Sequence, residues 1–394
     1  MRQADISLVQ QKHRQLDRLL PELTADAWLV LTREHSDPST LLFTGIGMVG
    51  EAAFLFTRDG ARYAIVADYD VEPIAASGEF EVTSYGQGGF MQPLTDLLQK
   101  TAPESLALNF SEDDPLADGL TLGMLRKLRQ AWPVADFDDR ISSSAVILGT
   151  LRSLKTDEEV RRIREAVRIT ELILDELGRH LKPGMTEIEA TEFVKARQRH
   201  YGVTHSFGDG ANVMTGRVGI GHRPASAAEV TEGVVVVDIG VYFEGYTSDI
   251  QRTWYVRRPG ETAPPPEVQH RFEAGRDAMK AAIAAMKPGV MAHELDTIAR
   301  DVLVSRGITP YTHALGHQIG RSVHDGGTTL APLNARYGER GNHPIQVGEV
   351  YTVEPVVHGR TGVDGCPVGV EQDVLITATG AEILSTLHEE MHLI

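Results

Sequence analysis

The strongest constraint in this sequence is that part of it occurs twice. Leu181-Lys-Pro-Gly184 opens a helical pattern that closes at Tyr201-Gly202, and Met286-Lys-Pro-Gly289 opens another that closes at Arg306-Gly307. Leu181 to Tyr201 and Met286 to Arg306 both run 21 residues, and the two stretches are offset by 105. Pro-Gly stops one helix and the far Gly stops the next, so a duplicated helical unit is expected. Each copy is followed by an apolar strand that carries an acid, Val234-Val-Val-Val-Asp238 in the first and Val350-Tyr-Thr-Val-Glu354 in the second. Duplication places equivalent residues about a pseudo-twofold axis, so these two acids are expected to face each other.

Upstream of the repeat the pattern changes. Trp28 to Leu31, Ala53 to Phe56, Tyr63 to Val66 and Leu106 to Asn109 are short apolar runs separated by helical patterns, which reads as an α/β domain over residues 1–150. It holds few His or acid clusters, so scaffolding or oligomerisation is expected there. Thr156-Asp-Glu-Glu159 is a capping box, and Val160, Ile163, Val167, Leu172, Ile173 and Leu177 extend a helix from it toward Pro183. Residues 151–394 then form the second domain.

Charge and composition remove several classes of function. Lys plus Arg is 38 against 55 for Asp plus Glu, a formal charge of −17, the wrong sign for a nucleic-acid or anionic-membrane partner. Cys366 is the single cysteine, so no internal disulfide forms and a reducing compartment is expected. Met1 to Leu20 lacks the apolar stretch of a signal peptide, and no run is long enough for a membrane span. A soluble cytoplasmic protein is the expectation.

The acids carry the chemistry. An isolated Asp at a strand end usually caps the next turn, but Asp238 follows four valines, where an ionised carboxylate needs a strong partner. Asp249 lies eleven residues later, with Gly240 and Gly245 between them, which suits a hairpin that brings both carboxylates to one point. Glu354 and Glu371, seventeen residues apart, repeat the arrangement in the second half. Four acids in apolar strands are hard to explain one at a time, and divalent cations are the economical way to keep them charged. His313, His317 and His324 fall within twelve residues among Gly316, Gly320, Gly326 and Gly327, and His222 follows Gly219-Ile-Gly221. A lone His is more often a core residue, but three among glycines indicate a site. His388 and His392, near the terminus, read as solvated.

The strings DIGVYFEGYTSDIQRT, THALGHQIG, VHD and YTVEP, with Asp238, Asp249, His317, Glu354 and Glu371 in that order, resemble the pita-bread metallopeptidases: Xaa-Pro dipeptidase (prolidase), aminopeptidase P and methionine aminopeptidase. The resemblance covers about Leu151 to the C-terminus. It implies an α+β chain: an N-terminal α/β creatinase/prolidase-like domain serving oligomerisation and active-site cover, then a C-terminal pita-bread domain with an internal pseudo-twofold repeat. It also implies a homodimer and two divalent metal ions. Asp238 would hold one ion, Asp249 and Glu371 would bridge the two, and His317 and Glu354 would complete the other. Manganese is favoured by the oxygen-rich donors, with cobalt or zinc as alternatives.

The same resemblance implies that the chain would be a metal-dependent Xaa-Pro dipeptidase whose substrate would be a small peptide with proline second. Glu354 would move the proton of a metal-activated water. His222 and His324 would bind the scissile carbonyl, His313 would shape the entrance, and Arg340, with Arg336 as backup, would bind the substrate carboxylate. The alternatives are aminopeptidase P acting on longer peptides, a same-fold hydrolase of a non-peptide amide such as ectoine, and a metal-free binding protein like the creatinase-type relatives. Two positions depart from the family pattern. Gly369 stands where prolidases usually carry Arg, and Phe243 where a Tyr is frequent.

Overall fold

The structure is a computed structural model that describes residues 5–208, 211–215, 225–227, 229–230, 233–359 and 366–394. The chain divides into two compact units, Met1–Arg152 and Ser153–Ile394.

In the first unit the apolar runs build a six-stranded mixed sheet, ordered Glu81–Tyr85, Arg62–Ala67, Ala52–Thr57, Ala27–Thr32, Leu106–Leu108, Ile141–Ser143. Trp28, Val30, Phe54, Phe56 and Val66 pack on one face, and Leu29, Leu31, Ala53, Leu55 and Ile65 on the other. Successive side chains of a strand point to opposite faces, so an unbroken apolar run requires cover on both. The helix Ile6–Leu19, N-capped by Asp5, covers the first face through Leu16, and Met91–Thr101 and Leu122–Ala131 cover the second through Leu94, Leu98, Met124 and Leu128. The edge strands Glu81–Tyr85 and Ile141–Ser143 lack an apolar signal, because one is mostly exposed and the other is three residues long.

In the second unit the capping box forms as the sequence requires. The Glu159 amide donates to Thr156 Oγ1 at 3.3 Å, the Thr156 amide donates to Glu159 Oε2 at 2.7 Å, and the helix runs Asp157–His180. The repeat extends to the backbone itself. Helices Glu187–His200 and Ala292–Ser305 are 14 residues each and stand 105 apart. Gly184 and Gly289 precede them at φ 82° and 91°, and Gly202 and Gly307 follow at 69° and 72°, angles that cost little only without a Cβ.

Each half then contributes a sheet. Gly233–Ile239 lies between Asn212–Thr215 and Ile250–Val256, and Gln372–Thr377 lies between Val350–Val353 and Gly380–Ile383. One core joins them: Val234 and Val236 from the first half, Tyr351, Val353 and Val374 from the second, and Phe272, Ala278, Leu295 and Ala299 from helices Pro266–Ala285 and Ala292–Ser305. Thr253 Oγ1 donates to the Gly369 carbonyl at 2.7 Å and accepts from the Gly369 amide at 3.1 Å, stitching the halves together. No described helix is long and apolar enough to cross a membrane.

One expectation fails. His388 is 3% exposed rather than solvated, edge-on to Phe272 at 4.9 Å and stacked on His392 at 4.9 Å. The cause is that the tail turns back to pair His392 and Leu393 with Trp254 and Tyr255, which folds it into the sheet.

Candidate metal centre

The hairpin from Gly233 to Val256 sets the first two acids. Tyr242 pairs with Thr247 and Phe243 with Tyr246, so Glu244 and Gly245 form a two-residue turn with φ 45° and 88°. Gly240 lets the strands close up, because a Cβ there would lie 2.0 Å from the Ser248 carbonyl oxygen. The result is a buried Asp238 opposite Gln251, with Asp249 at the strand's edge. Glu371 enters between Val368–Gly369 and Gln372–Thr377, held from behind by Arg252, whose Nη1 donates to its carbonyl at 2.7 Å. Carboxylate oxygens of Asp238, Asp249 and Glu371 lie within 4.8 Å of one another, and all three residues are buried.

The second half adds an imidazole and a fourth acid. His317 Nε2 lies 3.3 Å from Glu354 Oε1 and 3.7 Å from Asp249 Oδ2. The loop carrying His317 is zipped to the strand carrying Glu354: the Glu354 amide donates to the Leu315 carbonyl at 2.8 Å, and the Thr352 amide to the His317 carbonyl at 2.9 Å. Gly316 makes this approach possible, since a Cβ there would meet the Thr352 oxygen at 1.9 Å. His317 Nδ1 faces its own neighbour's carbonyl, Gln318 O, at 3.3 Å, which points Nε2 into the cluster as the ligating nitrogen.

The other side of the loop is held by residues the sequence reading missed. Asp296 is fully buried and accepts from the Leu315 amide at 3.1 Å and from Arg300 Nε at 2.5 Å, while Arg300 donates to the Tyr311 and His313 carbonyls at 2.7 Å each. An Asp and an Arg four apart on an otherwise apolar helix face was the available signal. Arg300→Met is expected to destabilise the chain by about 2 to 3 kcal/mol in denaturant unfolding, somewhat less than a fully buried pair because Arg300 keeps some solvent. An unchanged midpoint would show the clamp to be idle.

Without a cation the cluster is electrostatically untenable in ionised form. Burial, then the charges of Glu371, Asp238, Glu354 and Asp373, push Asp249 well above the usual carboxylate range. Burial, then Glu354, Asp238 and Asp373, do the same to Glu371, and burial pushes Asp373 up to about 8. Burial would also raise Glu354, but the hydrogen bond and charge of His317, with His313 and His324 nearby, hold it below its ordinary value. Burial lowers His317 in turn, and Glu354 more than reverses this. Glu371 Oε1 is buried and accepts no hydrogen bond among the described residues. Hard oxygen donors around one imidazole, with a buried acceptor left over, fit a divalent cation.

The remaining candidates are spread more widely. His324 is exposed, with its ring 4.3 Å from that of His317 and nearly perpendicular to it. The adjacent Asp325 is anchored by the buried Lys155 at 3.0 Å. His313 is partly buried and stacks on Tyr311. Arg340 is exposed in the short helix Gly338–Gly341 with its guanidinium over the Tyr337 ring, and Arg336 is exposed with Nη1 3.4 Å from the Thr312 carbonyl. His222 lies outside the described residues. Phe243 ends the strand Val241–Phe243, partly buried. Gly369 leaves no void, because the Gln251 side chain fills the space its Cβ would take.

The chain is similar to known proteins in sequence and in fold. Residues 161–378 match the profile of metallopeptidase family M24. An uncharacterized peptidase of Staphylococcus saprophyticus is 30% identical over 274 residues, 68% of this chain and 71% of its own. An uncharacterized peptidase of Staphylococcus aureus is 27% identical over 385 residues, 94% of this chain and 97% of its own. Among solved structures, an X-Pro aminopeptidase from Thermotoga maritima is similar at TM-score 0.77 and 25% identity, covering 97% of this chain and 100% of that one. An Xaa-Pro dipeptidase from Bacillus anthracis is similar in fold at TM-score 0.79 and 22% identity, covering 98% and 100%.

Proposed function

Because the chain belongs to metallopeptidase family M24, we propose that it cleaves the Xaa-Pro bond of small peptides, dipeptides first. The observation that carries this reading is the meeting of Asp238, Asp249 and Glu371 beside the His317–Glu354 pair. Similarity to an X-Pro aminopeptidase supports the choice of bond. The five residues would hold two divalent cations, manganese ahead of cobalt or zinc because four of the five donors are carboxylates. Such ions supply Lewis acidity at the scissile carbonyl and acidify a water.

The chain's own residues do the rest. Glu354 turns Oε1 toward His317 and Thr352, which leaves Oε2 to receive a proton from water and pass it to the prolyl nitrogen. His324 donates a hydrogen bond to the carbonyl oxygen as charge develops there, with His222 assigned the same task. His313 narrows the entrance. The N-terminal unit serves a homodimer.

The purified protein with Mn²⁺ should turn over an Xaa-Pro dipeptide faster than an Xaa-Pro-Xaa tripeptide and leave a cyclic amidine intact. Preference for the tripeptide would make it an aminopeptidase P, and turnover of the amidine a non-peptide amide hydrolase. Arg340 is assigned to the dipeptide's terminal carboxylate. Because it is exposed, Arg340→Ala should raise KM for dipeptides by only about tenfold, with tripeptides hardly affected. Equal losses on both substrates would remove Arg340 from the site.

A further inference from the structure

A cavity of about 770 Å³ opens between the helix Asp157–His180 and the returning C-terminal tail. That is the volume of a small-molecule site. None of Asp238, Asp249, His317, Glu354 and Glu371 lines it, so it lies outside the metal centre. Arg252 helps to fix the tail that closes it, donating from Nη2 to the Thr386 carbonyl at 2.9 Å. Most of the charges around the cavity are already matched: Arg168 by Glu165, Arg252 by Glu171 and Glu389 by Lys280. Asp175 and Glu390 are left over. Both are exposed, and neither carboxylate has a hydrogen bond or an ion pair among the described residues.

Aromatic rings form the adjoining side. Trp254 and His392 lie 5.5 Å apart, and His392 stacks on His388 at 4.9 Å. His388 lines the cavity and is 3% exposed, yet neither of its ring nitrogens meets a hydrogen-bond partner among the described residues. Burial first, then the charge of Arg252, hold its pKa well below the ordinary imidazole value, so the ring stays neutral and offers an acceptor. Unpaired carboxylates, aromatic faces and an unused acceptor all favour a ligand that carries positive charge and N–H groups. Leu172, Leu387 and Met391 supply an apolar lining for its stem. We propose that this cavity is a second ligand site, taking a small organic cation with an ammonium or guanidinium on an apolar stem, held by Asp175, Glu390 and the rings of Trp254, His392 and His388. The site does not depend on which amide the metal centre cleaves.

The test is calorimetric titration of the full chain, with Mn²⁺ present, by two probes. Agmatine has a guanidinium and an ammonium on a butyl stem, and succinate has a similar reach with the opposite charge. Agmatine should bind and succinate should not. Asp175→Asn and Glu390→Gln, both at exposed positions, should weaken agmatine about three- to tenfold each while leaving turnover of alanyl-proline unchanged. His388→Phe keeps a ring against Phe272 and removes both nitrogens, and it should weaken agmatine as well. Absence of agmatine binding, succinate bound in its place, or an affinity unchanged in both carboxamide variants would overturn the site. Displacement of agmatine by alanyl-proline would put the cation in the metal centre and overturn it too. A wild type that binds agmatine at this site but leaves alanyl-proline intact would sink the peptidase reading instead.

Discussion

Dialysis against a chelator is expected to abolish amide hydrolysis by this chain, and added Mn²⁺ or Co²⁺ to restore it. The reason is electrostatic. Asp249 and Glu371 are held above the carboxylate range by burial first and by the neighbouring carboxylates second, and Asp373 by burial, so they are ionised together only when positive charge is supplied. The sign of the stability effect follows. A carboxylate whose folded pKa is raised binds its proton more tightly in the folded state, so metal-free stability is greatest below the unfolded value near about 4 and falls as pH rises. For Asp373 the loss extends to about 8. The gain in Tm on adding metal should therefore widen as pH rises across that window, because ligation requires the deprotonated acids. Full activity of demonstrably metal-free protein, or a gain in Tm that shrinks with rising pH, would refute the centre.

Replacing Glu354 or His317 by Ala should lower turnover by about a hundred- to ten-thousandfold while leaving a folded chain. Both side chains are only partly buried and neither belongs to the hydrophobic core, so their loss opens no cavity among Val353, Tyr351 and Leu295. Turnover at subsaturating metal separates this from general damage, and a variant matching the wild type there would mean that the ligand has been misassigned. Circular dichroism and the unfolding midpoint check the fold.

Features written in local chemistry were legible from the sequence. The capping box at Thr156, the paired Pro-Gly stops and the hairpin joining Asp238 to Asp249 each depend on neighbours a few residues away, and the structure has them where the residues put them. Features set by distant contacts were not. The Asp296–Arg300 clamp looks like an ordinary helical ion pair until Tyr311, His313 and Leu315 arrive. Gly369 reads as a missing side chain because nothing in its own neighbourhood reveals that Gln251, more than a hundred residues earlier, takes the volume. His388 looked solvated for the same reason, since its burial depends on a tail returning to a strand begun at Ile250. The strand Glu81–Tyr85 escaped notice because its mostly exposed side chains leave no hydrophobic trace.

The repeated helices Glu187–His200 and Ala292–Ser305 also reveal how far the two copies have drifted apart. Asn212 stands opposite Asp238 in its sheet, and the matching place opposite Glu354 is held by Leu315, whose carbonyl accepts from the Glu354 amide. One copy has an amide where the other has an aliphatic side chain, and His317 lies two residues farther along. The frame and its acids are repeated while the imidazole is not, so a lesion at His317 has no spare in its twin.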